Sequence, residues 1–122
     1  MKKTILITGT SSGIGKSTVF EFAKMGWNVI ATQRHPENEL DFKDLPNVKL
    51  CALDVTNLES IKNAISLAEK DFGKIDVVVN NAGYGVDGAF EAMSDDIIEK
   101  QFNTNVFGLM RVTREAIKHM RP

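Results

Sequence analysis

Gly9, Gly13 and Gly15 stand at Gly-x-x-x-Gly-x-Gly spacing directly after the apolar run Ile5-Leu6-Ile7-Thr8. With no Cβ at those positions the backbone can turn sharply and come close to a ligand. A helix that opens there aims its unpaired N–H groups and positive dipole end over the turn, which suits a diphosphate. Ser11, Ser12 and Ile14 complete the segment. A loop that only reverses direction needs one glycine. Three between a strand and a helix form the context of a dinucleotide fingerprint.

Three further places carry chemistry. Asp54-Val55 follow the apolar run Leu50-Cys51-Ala52-Leu53, and Asp54 can accept a hydrogen bond from an exocyclic amine or cap the next turn. Asn80-Asn81-Ala82-Gly83 follow Ile75–Val79 and bring donors and acceptors able to tie neighbouring loops together. Arg34 stands in Thr32-Gln33-Arg34-His35, with no carboxylate until Glu37. An acid at that place would hold the ribose 2′-hydroxyl of NAD, whereas an arginine accommodates the 2′-phosphate of NADP. The guanidinium fork matches a phosphate in geometry and charge. The expected cofactor is therefore NADP(H), with NAD(H) as the alternative.

These residues need a frame that gathers strand ends. Apolar runs at Thr4–Thr8, Asn28–Thr32, Val48–Leu53 and Asp76–Asn80 alternate with helical patterns, as in βαβ units with a mostly parallel sheet. The runs are near-continuous, so helices should cover both faces. A helix from about Ile14 to Met25 buries Val19, Phe22 and Ala23 and stops at Gly26. Asn57 caps the next, whose Ile61, Ala64, Ile65, Ala68 and Phe72 keep one face apolar until Gly73. His35–Pro46 reads as a loop with at most a short helical turn. From Ser94 to Arg121 the stripe Ile98, Phe102, Val106, Leu109, Thr113, Ala116, Ile117, Met120 predicts one long helix or two nearly collinear ones. In such a sheet, ligands bind outside the carboxyl ends of the strands, and Gly9, Gly13, Asp54 and Asn80–Gly83 all fall just past those ends.

Composition sets limits. The chain has 122 residues, 43% hydrophobic and 25% charged, which fits one small α/β domain over 1–122. A net charge of -1 gives no electrostatic reason for a nucleic acid or anionic membrane partner. The single cysteine, Cys51, fits a reduced, buried side chain. The apolar run after Lys2-Lys3 is too short for a signal peptide or a membrane span, so the chain reads as cytoplasmic. His35 and His119 have no third ligand in view, so no metal is expected.

With these motifs in order, the chain resembles the short-chain dehydrogenase/reductase family along its whole length. Thr8-Gly9-x-x-x-Gly13-Ile14-Gly15 matches the family's cofactor turn, Asp54-Val55 its adenine-holding residues, and Asn80-Asn81-Ala82-Gly83 the motif ending its fourth strand. Asn105 in Asn105-Val106-Phe107-Gly108 matches its helix asparagine. The resemblance implies a Rossmann-type doubly wound parallel sheet, here its N-terminal four strands in the order 3-2-1-4. It also implies hydride transfer to or from a small carbonyl or alcohol substrate. Arginine after the second strand is the family's common NADP marker. Subunits of the family pair through long helices such as Asn103–Arg121, so a homodimer or homotetramer is implied.

The family's proton donor is a tyrosine with a lysine four residues on, beside a serine. The only tyrosine here is Tyr84, and Gly88 stands four residues on. Of the family's catalytic set Asn105 alone is present; the resemblance implies that its carbonyl holds a water in a proton relay. The expectation is a cofactor-binding part, inactive by itself, truncated before a fifth strand. The strand at Ile75–Val79 would then be an unpaired edge. Uncovering a few hundred Å2 of apolar surface there costs several kcal/mol at roughly 25 cal/mol per Å2.

Two rivals remain at this point. A non-catalytic NADP(H)-binding module or sensor needs no tyrosine. A P-loop-like nucleotide hydrolase would use Gly15-Lys16-Ser17, with Asp54 holding magnesium, but its loop needs a glycine where Thr10 stands. Asn80–Gly83 and Asn105 have no part in that chemistry.

Overall fold

A computed structural model of the chain describes residues 2–122. The elements run β1 (Thr4–Ile7), α1 (Gly13–Lys24), β2 (Asn28–Gln33), β3 (Val48–Ala52), α2 (Leu58–Phe72), β4 (Val77–Val79), α3 (Asp95–Phe102) and α4 (Leu109–Met120). A 3-10 turn at Pro36–Asn38 interrupts the loop after β2, and a π-helical segment, Asn103–Gly108, joins α3 to α4. All strand pairs are parallel, as the alternating pattern predicted, in the order β3-β2-β1-β4 that the family resemblance implied. The order reverses beside β1, so the chain ends of β1 and β4 open a crevice there.

Strand alternation divides the core. Ile5, Ile7, Val29 and Ala31 point to one face with Val19 of α1 and Phe42. Leu6 and Ile30 point to the other, against Ile61, Ala64, Ile65 and Ala68 of α2 and Val112 of α4. Both faces of the central strands are thus covered, which is why their sequences run apolar without a break. The edge strands β3 and β4 are only partly buried. The helix starts follow the caps in the sequence: Asn57 Oδ1 accepts from the Ser60 N–H at 3.2 Å, and Ser94 Oγ from the Ile97 N–H at 3.2 Å. Cys51, on edge strand β3, is half-buried and free, and burial pushes its thiol pKa up.

The C-terminal helices run end to end, as the stripe from Ser94 to Arg121 predicted. The chain is helical from Asp95 to Met120, but the residues it buries are Gly108, Val112 and Ala116. Phe102, Val106, Leu109, Ile117 and Met120 of the expected stripe are exposed. Size explains the difference. The helix approaches the loop after β3 so closely that a Cβ on Gly108 would lie 2.5 Å from Val55 Cγ2. Small residues make that contact, and the larger apolar side chains fall on the neighbouring strip. At its far end α4 meets α2 through His119 Nδ1 and Glu69 Oε1.

Asp76 fastens the start of β4 to β1. Its Oδ2 accepts from the Thr4 N–H at 2.8 Å, its own N–H donates to Thr4 O at 2.8 Å, and Lys74 Nζ lies 3.2 Å from Oδ1. The Thr4 N–H bond, opposed by burial and helped by Lys74, holds the carboxyl below the usual carboxylate range. A folded-state pKa below the unfolded value of about 3.9 stabilises the fold above that pH and is lost as pH falls through the lower folded value. Asp76→Asn should therefore lower the thermal midpoint at pH 7 and flatten its fall on acidification. Parallel acid profiles for variant and parent would refute this role.

Candidate functional site

The turn after β1 is held from below by threonines. Thr8 is buried; its N–H donates to Val79 O at 3.1 Å, and its Oγ1 accepts from the Asn81 and Ala82 N–H groups at 3.0 Å each. Asn81 Nδ2 donates to Gly9 O at 2.9 Å, tying the loop after β4 to the glycine turn. Thr10, also buried, donates from N–H and Oγ1 to Thr32 O, both at 3.1 Å, which fixes the turn to the end of β2. Thr32 Oγ1 returns a bond to Ile7 O at 3.0 Å.

The glycines make this packing possible. Gly9 has φ of 68°, and a Cβ on it would lie 2.9 Å from Ala82 Cα. A Cβ on Gly15 would lie 2.2 Å from Gly9 O and 2.5 Å from Asn81 Nδ2. Gly9 and Gly15 thus let turn, helix and β4 loop converge. Gly13 differs: with φ of 59° it needs the left-handed region but faces open space. Ser12 occupies the N-cap of α1 with no side-chain capping bond, so amide donors of the first turn remain available.

Above the turn lies a cavity of about 770 Å3, outside the carboxyl ends of all four strands. Gly9, Ser11, Ser12 and Ile14 line it from the end of β1, Arg34 from β2, Asp54 and Val55 from β3, and Asn81, Ala82 and Gly83 from β4. The sequence-predicted residues therefore converge, with Gly13 and Gly15 shaping the turn rather than the wall. Ile14 is 79% exposed, an apolar side chain left uncovered at the cavity mouth.

Asp54 caps the turn that follows β3 and keeps one carboxylate oxygen clear of that cap. Its Oδ1 accepts from the Thr56 N–H at 2.9 Å and Thr56 Oγ1 at 2.6 Å, closing the turn into α2. Oδ2 has no partner among the described residues and is free for a ligand donor. Burial favours the neutral acid, but the Thr56 bonds and the nearby Arg34 and His35 outweigh it and hold the carboxyl below its usual range. Asp54 is an anionic acceptor at neutral pH.

Asn105 lies outside the cavity wall. Its Oδ1 accepts from the Tyr84 N–H at 3.0 Å and its Nδ2 donates to Tyr84 O at 2.6 Å. The side-chain amide is thus committed to holding the loop after Gly83, and a Cβ on Gly83 would lie 3.0 Å from Asn105 Oδ1. Asn105 sits in the π-helical turn, where the wider spacing of a π-bulge loosens the carbonyl ladder.

Several contributors had no motif to mark them. Thr10, buried past the end of β1, and Thr56, exposed past the end of β3, belong to no motif, whereas Thr8 opens the glycine motif itself. Arg111 of α4 donates to Val55 O at 3.1 Å, Asn103 O at 3.2 Å and Asn103 Oδ1 at 2.6 Å, bracing the wall from behind. Lys100, Asn103 and Thr104 complete the far side. Thr8→Val keeps the shape but leaves the Asn81 and Ala82 N–H groups without their acceptor. The expected loss is about 2–4 kcal/mol in chemical denaturation, since each orphaned buried donor costs about 1–3 kcal/mol. A loss under about 0.5 kcal/mol, the range of neutral surface changes, would refute the tether.

Residues 3–122 match the family described as short chain dehydrogenase. An uncharacterised oxidoreductase of Schizosaccharomyces pombe is 40% identical over 119 residues, 97% of this chain and 40% of that protein. The 3-ketodihydrosphingosine reductase of Bacteroides thetaiotaomicron is 36% identical over 117 residues, 96% of this chain and 42% of that protein. Among solved structures, ElxO with NADP bound superposes with a TM-score of 0.88 at 38% identity, covering 98% of this chain and 50% of that one. The chain thus spans about half the length, or less, of the proteins it matches.

Proposed function

The chain belongs to the short-chain dehydrogenase family, and from that membership we propose that it forms the NADP(H)-binding part of an oxidoreductase acting on a carbonyl or alcohol. One observation carries the reading: a single cavity gathers the glycine turn, the free Asp54 oxygen and the Arg34 guanidinium outside the ends of four parallel strands. The fit to a dinucleotide is physical. Unpaired amides at the start of α1 suit a pyrophosphate, Asp54 Oδ2 suits an adenine amino group, and Arg34 suits a 2′-phosphate. ElxO, of similar fold, is seen with NADP bound.

Bound NADP(H) would supply or accept the hydride. The part of this chain is to bind and orient. Asn81, Ala82 and Gly83 form the wall nearest the crevice, and Asn105 keeps the Tyr84 backbone from closing over it. Family membership implies that the Asn105 carbonyl would hold a water in a proton relay. Tyr84 lines the cavity with Gly88, not lysine, four residues on, so it is not assigned the role of proton donor.

No helix among the described residues is long and apolar enough to cross a membrane. The exposed Phe107, Met110 and Met120 suit pairing with a second subunit along α4. Calorimetric titration of the natural chain with NADPH, NADH and magnesium ATP tests the assignment. NADPH should bind, more tightly than NADH, and perturb backbone amide resonances of Gly9–Gly15 and Asp54. Binding of magnesium ATP in place of either coenzyme would overturn it.

A further inference from the structure

A smaller recess of about 280 Å3 adjoins the main cavity and shares Ser11, Gln33 and Arg34 with it. Lys16 and Glu39 stand on its remaining wall. Glu39 belongs to the polar loop after β2, yet only 4% of its side chain is exposed. Gln33 Nε2 donates to its Oε1 at 2.9 Å, while the Asp41 N–H at 3.1 Å and Lys16 Nζ at 3.2 Å donate to Oε2. Gln33 Nε2 also reaches Thr10 Oγ1 at 3.3 Å, so the network touches the glycine turn. Lys16, from the first turns of α1, lies 2.6 Å from Asp41 Oδ2 and above the Phe42 ring. Burial favours the neutral form of Glu39, but the bonds from Gln33, Asp41 and Lys16 prevail and hold its carboxyl below the usual range.

Holding the loop against α1 does not by itself explain this choice of residues. Taking opposite charges out of water costs desolvation, and an apolar pair closes such a contact as well or better. The ion pair instead sits on the wall of the recess that Arg34 overlooks. We propose that Lys16 is the second cation for the phosphate on the adenosine ribose, and that Glu39 sets how much of its charge that phosphate meets. The proposal rests on the NADP(H) reading above. Arg34 and Lys16 flank the recess as two cations for a dianion. Glu39 opposes them with one buried negative charge, so the site favours the phosphorylated coenzyme without trapping it. Ser12, neutral at the place before Gly13, leaves this duty to a lysine one helical turn further on.

The test compares adenosine 2′,5′-bisphosphate with AMP on the natural chain, since the ratio of their affinities isolates the 2′-phosphate. Glu39→Gln keeps the shape, and Asp41 remains to hold Lys16. It should raise the ratio about threefold to tenfold, and Lys16→Met should lower it by a similar factor, the size of one partly screened charge contact. In the unsubstituted chain the bisphosphate should shift the Lys16 Cε resonance and AMP should not. That spectrum decides the matter if a variant does not fold. A Lys16 resonance that ignores the bisphosphate, or a ratio unmoved in both folded variants, overturns the inference. Should the parent chain bind the two probes equally, the NADP(H) reading falls with it. Should the parent discriminate through Arg34 alone, only the inference falls.

Discussion

Gly15→Ala is expected to destabilise the fold by about 3–5 kcal/mol and to weaken NADPH binding by more than about tenfold wherever the variant stays folded. The new Cβ would lie 2.2 Å from Gly9 O, a backbone atom that no rotamer change can move aside. It would also lie 2.5 Å from Asn81 Nδ2, whose bond to Gly9 O spans the turn and the β4 loop. Either α1 backs away from the turn or that bond breaks, and each outcome displaces the amides meant for the pyrophosphate. Against a total stability of about 5–15 kcal/mol the loss is severe. Gly13→Ala is the matched control. Its Cβ would meet nothing within 4 Å, so only the left-handed backbone, with φ of 59°, opposes it. That costs about 1–2 kcal/mol. Denaturant unfolding and coenzyme titration of both variants check the contrast; equal losses would mean that the packing at Gly15 is not the limiting constraint.

The contrast marks how far the sequence could be read. The strands and helices ended within about a residue or two of their expected places because caps, glycines and unbroken apolar runs are local signals. The cavity was legible because each motif closes a strand, and parallel topology puts all strand ends on one edge. What the motif did not say is that Gly9 and Gly15 are needed first for contact between chain segments, and only then for a ligand. The stripe from Ser94 to Arg121 marked the long helix but not its buried strip, because periodicity gives the angle between apolar residues, not which of two adjacent strips meets the core. Gly108 decided that, through a contact with Val55 across 53 positions of sequence. Glu39 lay unremarked in the polar loop and Lys16 figured only in the rival Gly15-Lys16-Ser17 reading, since only folding brings the loop after β2 onto the first turns of α1.

Arg34→Asp should lower NADPH affinity about 100-fold relative to NADH, from loss of a charge-assisted fork and gain of a like charge facing the phosphate. The position is fixed from both sides. Leu53 N–H donates to Gln33 O at 2.9 Å, and the buried Gln33 side chain binds Thr10 and Glu39, so residue 34 leaves β2 in one direction. Among the described residues the guanidinium has no hydrogen-bond or ion-pair partner, although it is close enough to lower the Asp54 pKa. It lines both the main cavity and the adjoining recess. A solvated loop charge would need none of this, and its replacement would move both coenzymes alike. An aspartate there would accept the ribose 2′-hydroxyl while repelling a 2′-phosphate, so NADH affinity should hold or rise. Arg34→Lys, which keeps the charge but not the planar fork, should fall between the two. Fluorescence titration of the three chains with both coenzymes gives the order directly. An NADPH-to-NADH ratio that stays constant across arginine, lysine and aspartate would detach residue 34 from coenzyme choice.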